Sequence, residues 1–208
     1  RTILDALPVG GQLIVGSRES PKLGLGRLRA HGHLAEITQD ALRFSFEESA
    51  ALLRRECGLD LDDRQIKLLH HRTQGWAAAL WLAALALRGH EDPAAFVRSF
   101  SGSHAAVADY LLDDVLSRLP EESRAFLLTI SVLDELSPPL CDAITGHDDS
   151  RLRLAAFEQA GLFVISQNRE GDSYRFHPLF RDFLRNELAR TDPEVAARLD
   201  RVAARWYL

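Results

Sequence analysis

His177 is the residue with the clearest chemical potential, because it lies directly before Pro178 at the start of a predicted amphipathic helix. Backbone N–H groups and the helix dipole at such a position favour a negative charge. A histidine there could donate a further hydrogen bond to a bound anion. The alternative is a histidine that caps or packs against its own helix, and the local sequence leaves both interpretations open.

Arg18 follows the short apolar run 13–15 and could lie just beyond the carboxyl end of a strand, where open α/β sheets bind ligands. An arginine there could contact a terminal phosphate, or it could be a surface arginine in a loop. The chain contains no phosphate-cradling G-x-x-x-x-G-K-[ST] motif. The glycines of segment 24–32 lack the required lysine and hydroxyl residue, so this segment is a weak phosphate loop.

Gly75 and Trp76 lie between two predicted helices. Gly75 is typical of a residue that ends a helix in the left-handed conformation. Trp76 and Trp81 are five residues apart, a spacing that is more common in a core than in a base-stacking site. Both interpretations remain possible for the tryptophans.

Other sequence patterns favour neither a metal site nor a catalytic centre. The histidine pairs at 31/33 and 70/71 have no further ligand at zinc-finger spacing, so we expect no metal. Ser17 in "GSRES" does not form a G-x-S-x-G nucleophile motif. We therefore expect no catalytic residue in this chain, and we leave open whether the protein is an enzyme.

Composition excludes several broad classes. A net charge of −5 is not typical of a nucleic-acid-binding surface. Two distant cysteines and the lack of a signal peptide favour a cytoplasmic protein. The apolar run 76–87 is too short to cross a membrane. Since the chain contains no methionine, we expect it to be part of a longer protein.

The pattern of elements predicts a mainly α fold with a piece of a parallel α/β domain at its start. Residues 1–42 would hold the end of a helix, a buried strand over 13–15 and a possible second strand over 33–38. The pattern of residues 43–118 predicts a helical bundle, which begins with a capping box over 45–48. An apolar stripe there consists of Val107, Leu111, Val115 and Leu119.

The last part of the chain predicts a winged helix. Residues 119–190 show three helices, a β-hairpin with the polar turn 167–172, and then the helix that starts at Pro178. Residues 191–208 begin a further helix. We expect domain boundaries near 42, 118 and 190.

The same segments resemble the ATPase core of the large ATP-binding LuxR-type transcriptional activators, the maltose-regulator-like family of signal-transduction ATPases with numerous domains. The resemblance covers essentially all 208 residues. It is carried by "LPVGGQLIVGSRESP", "LRFSFEESAALL", "HHRTQGWAAALWLAALALR", "VADYLLDDVLSRLPEESRAFLLTISVLDELSPPLCDAITG" and "YRFHPLFRDFLRNEL".

This resemblance implies a role for each candidate residue. Arg18 would sense the γ-phosphate of ATP, and Gly75 with Trp76 would line the adenine side of the nucleotide. Related proteins have a proline where this chain has Ala77, which puts that proline contact in doubt. His177 would contact the β-phosphate of ADP and hold the resting, monomeric form.

The resemblance also implies an architecture. Residues 1–42 would be the end of a nucleotide-binding domain, 43–118 a helical domain, 119–190 the winged helix and 191–208 the start of a helical-repeat sensor domain. ATP or ADP, with Mg²⁺, would be the cofactor of the parent protein, a slow ATPase switch. A small-molecule inducer and DNA would bind segments outside this chain, and activation would bring self-association.

The expected function is therefore a regulatory segment that couples nucleotide state to transcription activation and oligomerisation. The alternative is a winged helix that binds DNA directly through segment 149–161. Arg151 and Arg153 would then face a groove of the DNA. Two basic residues on a largely apolar helix are few for a phosphate footprint, which favours the regulatory hypothesis.

Overall fold

The computed structural model describes residues 7–8, 10–17, 21, 23–88, 90, 92–168 and 170–206. Within these ranges the fold is mainly helical, as predicted, with one small antiparallel sheet. The helices are α1 (Leu25–Ala30), α2 (Phe46–Ala51), α3 (Asp63–Thr73), α4 (Ala77–Leu87), α5 (Pro93–Ser99), α6 (Ala105–Asp114), α7 (Glu121–Ile130), α8 (Pro138–Thr145), α9 (Ser150–Gln159), α10 (Pro178–Thr191) and α11 (Pro193–Trp206). The strands are β1 (Val164–Ser166) and β2 (Tyr174–Phe176), and short 3-10 turns cover Asp40–Leu42 and Leu116–Arg118.

The strand predicted over 13–15 is not formed. Residues 11–17 have no regular structure, and the side chain of Ile14 is 91% exposed. Segment 33–38 is also irregular. A strand is stable only beside a hydrogen-bonded neighbour, and the described part of the chain offers none to either segment. The helix predicted before Pro8 falls largely outside the described residues.

The predicted capping box at the start of α2 is confirmed. The Ser45 hydroxyl accepts a hydrogen bond from the backbone N–H of Glu48, and the Glu48 carboxylate accepts one from Ser45 N–H. The helix continues as a π-helix over Leu52–Glu56 and stops before Gly58, whose φ is +67°. Asp62 and Gln65 form a second capping box that starts α3.

Helices α3 to α6 pack into a bundle. The burial of the predicted apolar stripe is confirmed, since Val107, Leu111 and Val115 are buried and Leu119 is partly buried against the same core. The helix itself is shorter than predicted, because α6 ends at Asp114. On α4 the core side consists of Ala79, Leu80, Ala83, Ala84 and Leu87. Trp81 lies on the other side and is 43% exposed, so the core interpretation is wrong for this tryptophan.

The winged helix is confirmed. Helices α7, α8 and α9 precede the hairpin, in which Val164 pairs with Phe176 and Ser166 pairs with Tyr174. Tyr174 also exchanges two backbone hydrogen bonds with Leu136, which adds an isolated bridge at the sheet edge.

Helix α10 joins the bundle to the winged helix. It packs against α3 and α6 of the bundle and against α7 of the winged helix, so both parts share one hydrophobic core. Gly102 allows the closest approach, because a Cβ atom there would lie 1.7 Å from the carbonyl oxygen of Leu179. In the described ranges, no helix has the length and apolar character needed to cross a membrane.

Candidate functional site

His177 links the winged helix to the bundle through its side chain. Its backbone occupies the N-cap position of α10, but its side chain makes no capping hydrogen bond. Instead, Nε2 donates to the backbone carbonyl of Thr73 at the end of α3, with an N···O distance of 2.9 Å. The side chain is buried, with 1% of the residue exposed. The helix-capping interpretation of this histidine is therefore wrong.

Burial keeps the His177 imidazole neutral. It lowers the pKa of His177 to about 4, a shift that the hydrogen bond to Thr73 opposes and that the positive charges of Arg43 and Arg175 increase. Since Nε2 carries the proton that Thr73 accepts, Nδ1 is left as an acceptor. Among the described residues Nδ1 has no hydrogen-bond partner although it is buried. A buried polar atom without a partner is costly, and binding sites are one place where such atoms occur.

Aromatic rings enclose the His177 side chain. The rings of Trp76 and Phe163 each lie edge-on to the imidazole, at centroid distances of 5.9 Å. Trp76 and Phe163 contact each other at 4.9 Å. Phe163 has a φ of 59°, uncommon for a bulky residue, and its carbonyl accepts the backbone N–H of His177 at 2.8 Å. This setting excludes water from the imidazole and fixes its orientation.

The turn between α3 and α4 presents the groups that meet the winged helix. Gln74, with φ 49°, is the C-cap residue of α3, and Gly75 follows it with φ 72°. The predicted left-handed conformation of Gly75 is thus confirmed, one residue past the cap itself. The Gly75 carbonyl accepts a hydrogen bond from Phe44 N–H at 2.8 Å, and a Cβ on Gly75 would lie 2.3 Å from the Phe44 carbonyl oxygen.

Three of the four predicted site residues thus lie together. Gly75, Trp76 and His177 meet at the junction between bundle and winged helix, whereas Arg18 lies outside the described residues. Whether any of them contacts a nucleotide stays a prediction.

Several residues of the junction were missed by the sequence analysis: Arg43, Thr73, Gln74, Phe163 and Arg175. For Arg175 a signal existed, because residues two apart on a strand share one face and Arg175 precedes His177 by two. Arg43 carries no such signal, since its place depends on how segment 39–45 crosses the end of α3.

The two arginines of the proposed DNA-recognition helix are engaged within the chain. Arg151 pairs with the carboxylate of Asp172 on the hairpin. Arg153 pairs with Glu122 and with Asp149, the latter at 2.7 Å. These ion pairs leave less positive charge available to DNA phosphates, which favours the regulatory hypothesis. In the described ranges, no group of His, Cys, Asp and Glu side chains has the geometry of a metal site.

Comparison with known families agrees with this architecture. Residues 112–196 match the family described as "MalT winged helix domain". That range contains the hairpin and His177, together with the three helices that precede them. The winged helix is therefore of the MalT type.

Relatives match along nearly the whole chain. The HTH-type transcriptional regulator MalT of Vibrio cholerae is 33% identical over 210 residues, covering 100% of this chain and 23% of the relative. MalT of Yersinia enterocolitica is 34% identical over 201 residues, or 94% of this chain and 22% of the relative. The serine/threonine-protein kinase PknK of Mycobacterium tuberculosis H37Rv is 40% identical over 196 residues, or 94% of this chain and 18% of the relative.

The chain is thus similar to one segment of these MalT regulators, as the sequence resemblance implied. It spans about a fifth of the length of these relatives. Such a segment occurs both in proteins named as transcriptional regulators and in one named as a protein kinase.

Proposed function

We propose that this chain is the nucleotide-responsive regulatory segment of a longer MalT-like transcriptional regulator. The observation that carries the proposal is the buried His177, which bridges bundle and winged helix through Nε2 and leaves Nδ1 without a partner among the described residues. A residue in this position can couple the binding of a ligand to the arrangement of the bundle relative to the winged helix. The similarity to two MalT regulators supports transcription as the output.

The chemistry of the junction suits the phosphate end of a nucleotide. Arg43 and Arg175 supply positive charge close enough to act on His177, and a protonated Nδ1 would add a hydrogen-bond donor. Trp76 provides an aromatic surface on the same turn. ADP or ATP would supply the negative charge, and Arg18 remains a candidate for sensing a γ-phosphate. The parent protein would supply the phosphate loop and Mg²⁺.

In this proposal, nucleotide state shifts an equilibrium between closed and open arrangements. Contacts of His177 with ADP favour the closed, monomeric form, and an inducer bound elsewhere in the parent protein favours the open one. A ligand shifts such an equilibrium only by its difference in affinity for the two states. The open form would associate with itself and activate transcription through a DNA-binding segment outside this chain.

The test is ADP binding by the full-length parent protein, measured by isothermal titration calorimetry. We expect His177→Ala to lower ADP affinity by about tenfold or more, the loss of one charge-assisted hydrogen bond to phosphate. The variant should also activate a reporter gene without inducer. His147→Ala is the matched control, because His147 is an exposed histidine of the same winged helix. Unchanged ADP affinity in His177→Ala would contradict the proposal.

A further inference from the structure

Two arginines from distant parts of the chain converge on Gln74. Arg43, just before α2, donates from Nη1 to the Gln74 backbone carbonyl at 3.0 Å. Arg175, in the middle of β2, donates from Nη2 to the Gln74 side-chain oxygen Oε1 at 3.3 Å. Both guanidinium groups are therefore held at one point of the junction, and both use neutral acceptors there.

Positive charge at this point is only partly balanced within the described part of the chain. Arg43 pairs with Asp40 at 2.9 Å. Because the Asp40 side chain is 86% exposed, it can exchange this ion pair for contacts with water. Arg175 bonds only to Gln74 and to its neighbour's backbone carbonyl, and no described carboxylate pairs with it. Partial burial and the charge of Arg43 both lower the pKa of Arg175, which shows that the two cations repel. Two partly buried cations in one place are unfavourable without a counter-charge.

Space for a counter-ion exists beside Arg43 and Gln74. An open depression of about 500 Å³ is lined by Arg43, Phe44, His70, His71 and Gln74. Arg175 and His177 both reach the turn after α3, since Arg175 donates to Gln74 and His177 donates to Thr73. The Nδ1 atom of His177, which lacks a partner among the described residues, is buried at the same junction.

We propose that Arg43 and Arg175 form a phosphate-binding pair at this junction, with Gln74 as the neutral group that holds them when no anion is bound. Planar guanidinium groups bind phosphate oxygens through paired hydrogen bonds, which suits a diphosphate better than a single charge. The inference rests on the proposed function for the source of the phosphate, a nucleotide. Phosphate binding by the pair can nevertheless be measured without one.

The experiment titrates the chain with inorganic pyrophosphate and follows binding by calorimetry and thermal unfolding. We expect the wild-type chain to bind pyrophosphate and to unfold at a higher temperature with pyrophosphate than without it. Arg175→Gln and Arg43→Gln should each weaken binding by about tenfold, the effect of one charge-assisted contact. Arg151→Gln is the matched control, an arginine that is half exposed and already paired with Asp172.

Gln74→Glu provides a second, independent variant. It keeps the size of the side chain and places a carboxylate between the two arginines. We expect this variant to unfold at a higher temperature than wild type without ligand and to bind pyrophosphate about tenfold more weakly. Circular dichroism would verify that each variant is folded.

The results separate this inference from the proposed function. If pyrophosphate does not bind, or binds equally to wild type, Arg175→Gln and Gln74→Glu, the phosphate-binding pair is refuted. That result leaves the role of His177 in ADP binding unaffected. If the arginine variants weaken pyrophosphate binding while His177→Ala leaves ADP binding intact, the pair stands and the proposed nucleotide function fails.

Discussion

His177 donates a hydrogen bond from Nε2 to the backbone carbonyl of Thr73, across 2.9 Å and 104 positions of sequence. This bond joins the end of α3 to the start of α10. Nε2 carries a proton in both protonation states of the ring, so acid does not remove this bond. Acid instead places a positive charge on a buried imidazole, which burial disfavours.

We predict that the stability of the junction falls in acid. The pKa of His177 is lowered to about 4 from its ordinary 6.5, so the unfolded chain takes up this proton first as the pH falls. The contribution of His177 to the free energy of unfolding is complete above pH 6.5 and is lost progressively as the pH falls to about 4. The expected loss in the free energy of unfolding is on the order of 3 kcal/mol.

Urea unfolding at a series of pH values measures this effect. His177→Asn keeps an N–H donor for Thr73 but cannot titrate, so it should lose less stability than wild type over the same interval. His147→Asn, altered at an exposed histidine, should behave like wild type. Equal acid sensitivity of wild type and His177→Asn would disprove the role given to this histidine.

We further predict that ADP binding by the parent protein takes up a proton. Nδ1 of neutral His177 is an acceptor and cannot donate to a phosphate oxygen, so a direct contact requires protonation. The charged groups that act on this ring, Arg43 and Arg175, both oppose that protonation, and a bound anion would reverse their effect. Affinity for ADP should therefore rise as the pH falls from neutral towards about 4, the pKa of His177 before ADP binds.

Calorimetry in buffers of different ionisation enthalpy counts the protons taken up. We expect a fractional uptake in wild type near neutral pH and a smaller one in His177→Asn. If wild type and His177→Asn exchange the same number of protons, His177 does not meet the phosphate in the way proposed.

Gly75→Ala should be more destabilising than an alanine at another left-handed glycine. A Cβ on Gly75 meets the Phe44 carbonyl oxygen at 2.3 Å, in addition to the backbone strain at φ 72°. We expect a loss of roughly 3 kcal/mol in the free energy of unfolding.

Gly146→Ala is the matched control for this substitution. Gly146 has a φ of 75°, and among the described residues nothing lies within 4 Å of a Cβ added there. Gly146→Ala therefore measures backbone strain alone, which should lower the free energy of unfolding by about 1 kcal/mol. Chemical denaturation measures the free energy of unfolding of both variants. Equal losses would show that the Phe44 carbonyl moves away from the added Cβ atom at no cost in free energy.

Direct DNA binding should be absent from this segment. Arg151 and Arg153 are paired with carboxylates, and the Arg153 guanidinium also lies 5.4 Å from the ring centre of Phe126. We expect no mobility shift at low salt, and a loss of about 1 kcal/mol of stability in Arg153→Ala. If this segment instead binds DNA tightly and Arg151→Ala abolishes that binding, the DNA-recognition hypothesis is restored.

The sequence predicted the elements whose signals are local. The capping box over 45–48, Gly75 after α3 and the order of three helices and a hairpin depend on neighbouring residues, and the structure confirms them. The strand over 13–15 failed because a strand needs a partner, and apolar composition alone does not provide one. His177 was found from its position before Pro178, but its bond to Thr73 was not, since no pattern links residues so far apart. Arg43 was missed for the same reason.

Gly102, in contact with the carbonyl of Leu179, bears on the order in which the molecule assembles. Contacts within each part of the chain are mostly between residues close in sequence, whereas those at Gly102, Thr73 and Gln74 join residues that are tens of positions apart. Contacts that close long loops form late in folding, because the entropy of closure must be overcome first. The bundle and the winged helix should therefore fold before they dock. In native-state hydrogen exchange, their separation should be a partial opening of lower free energy than global unfolding.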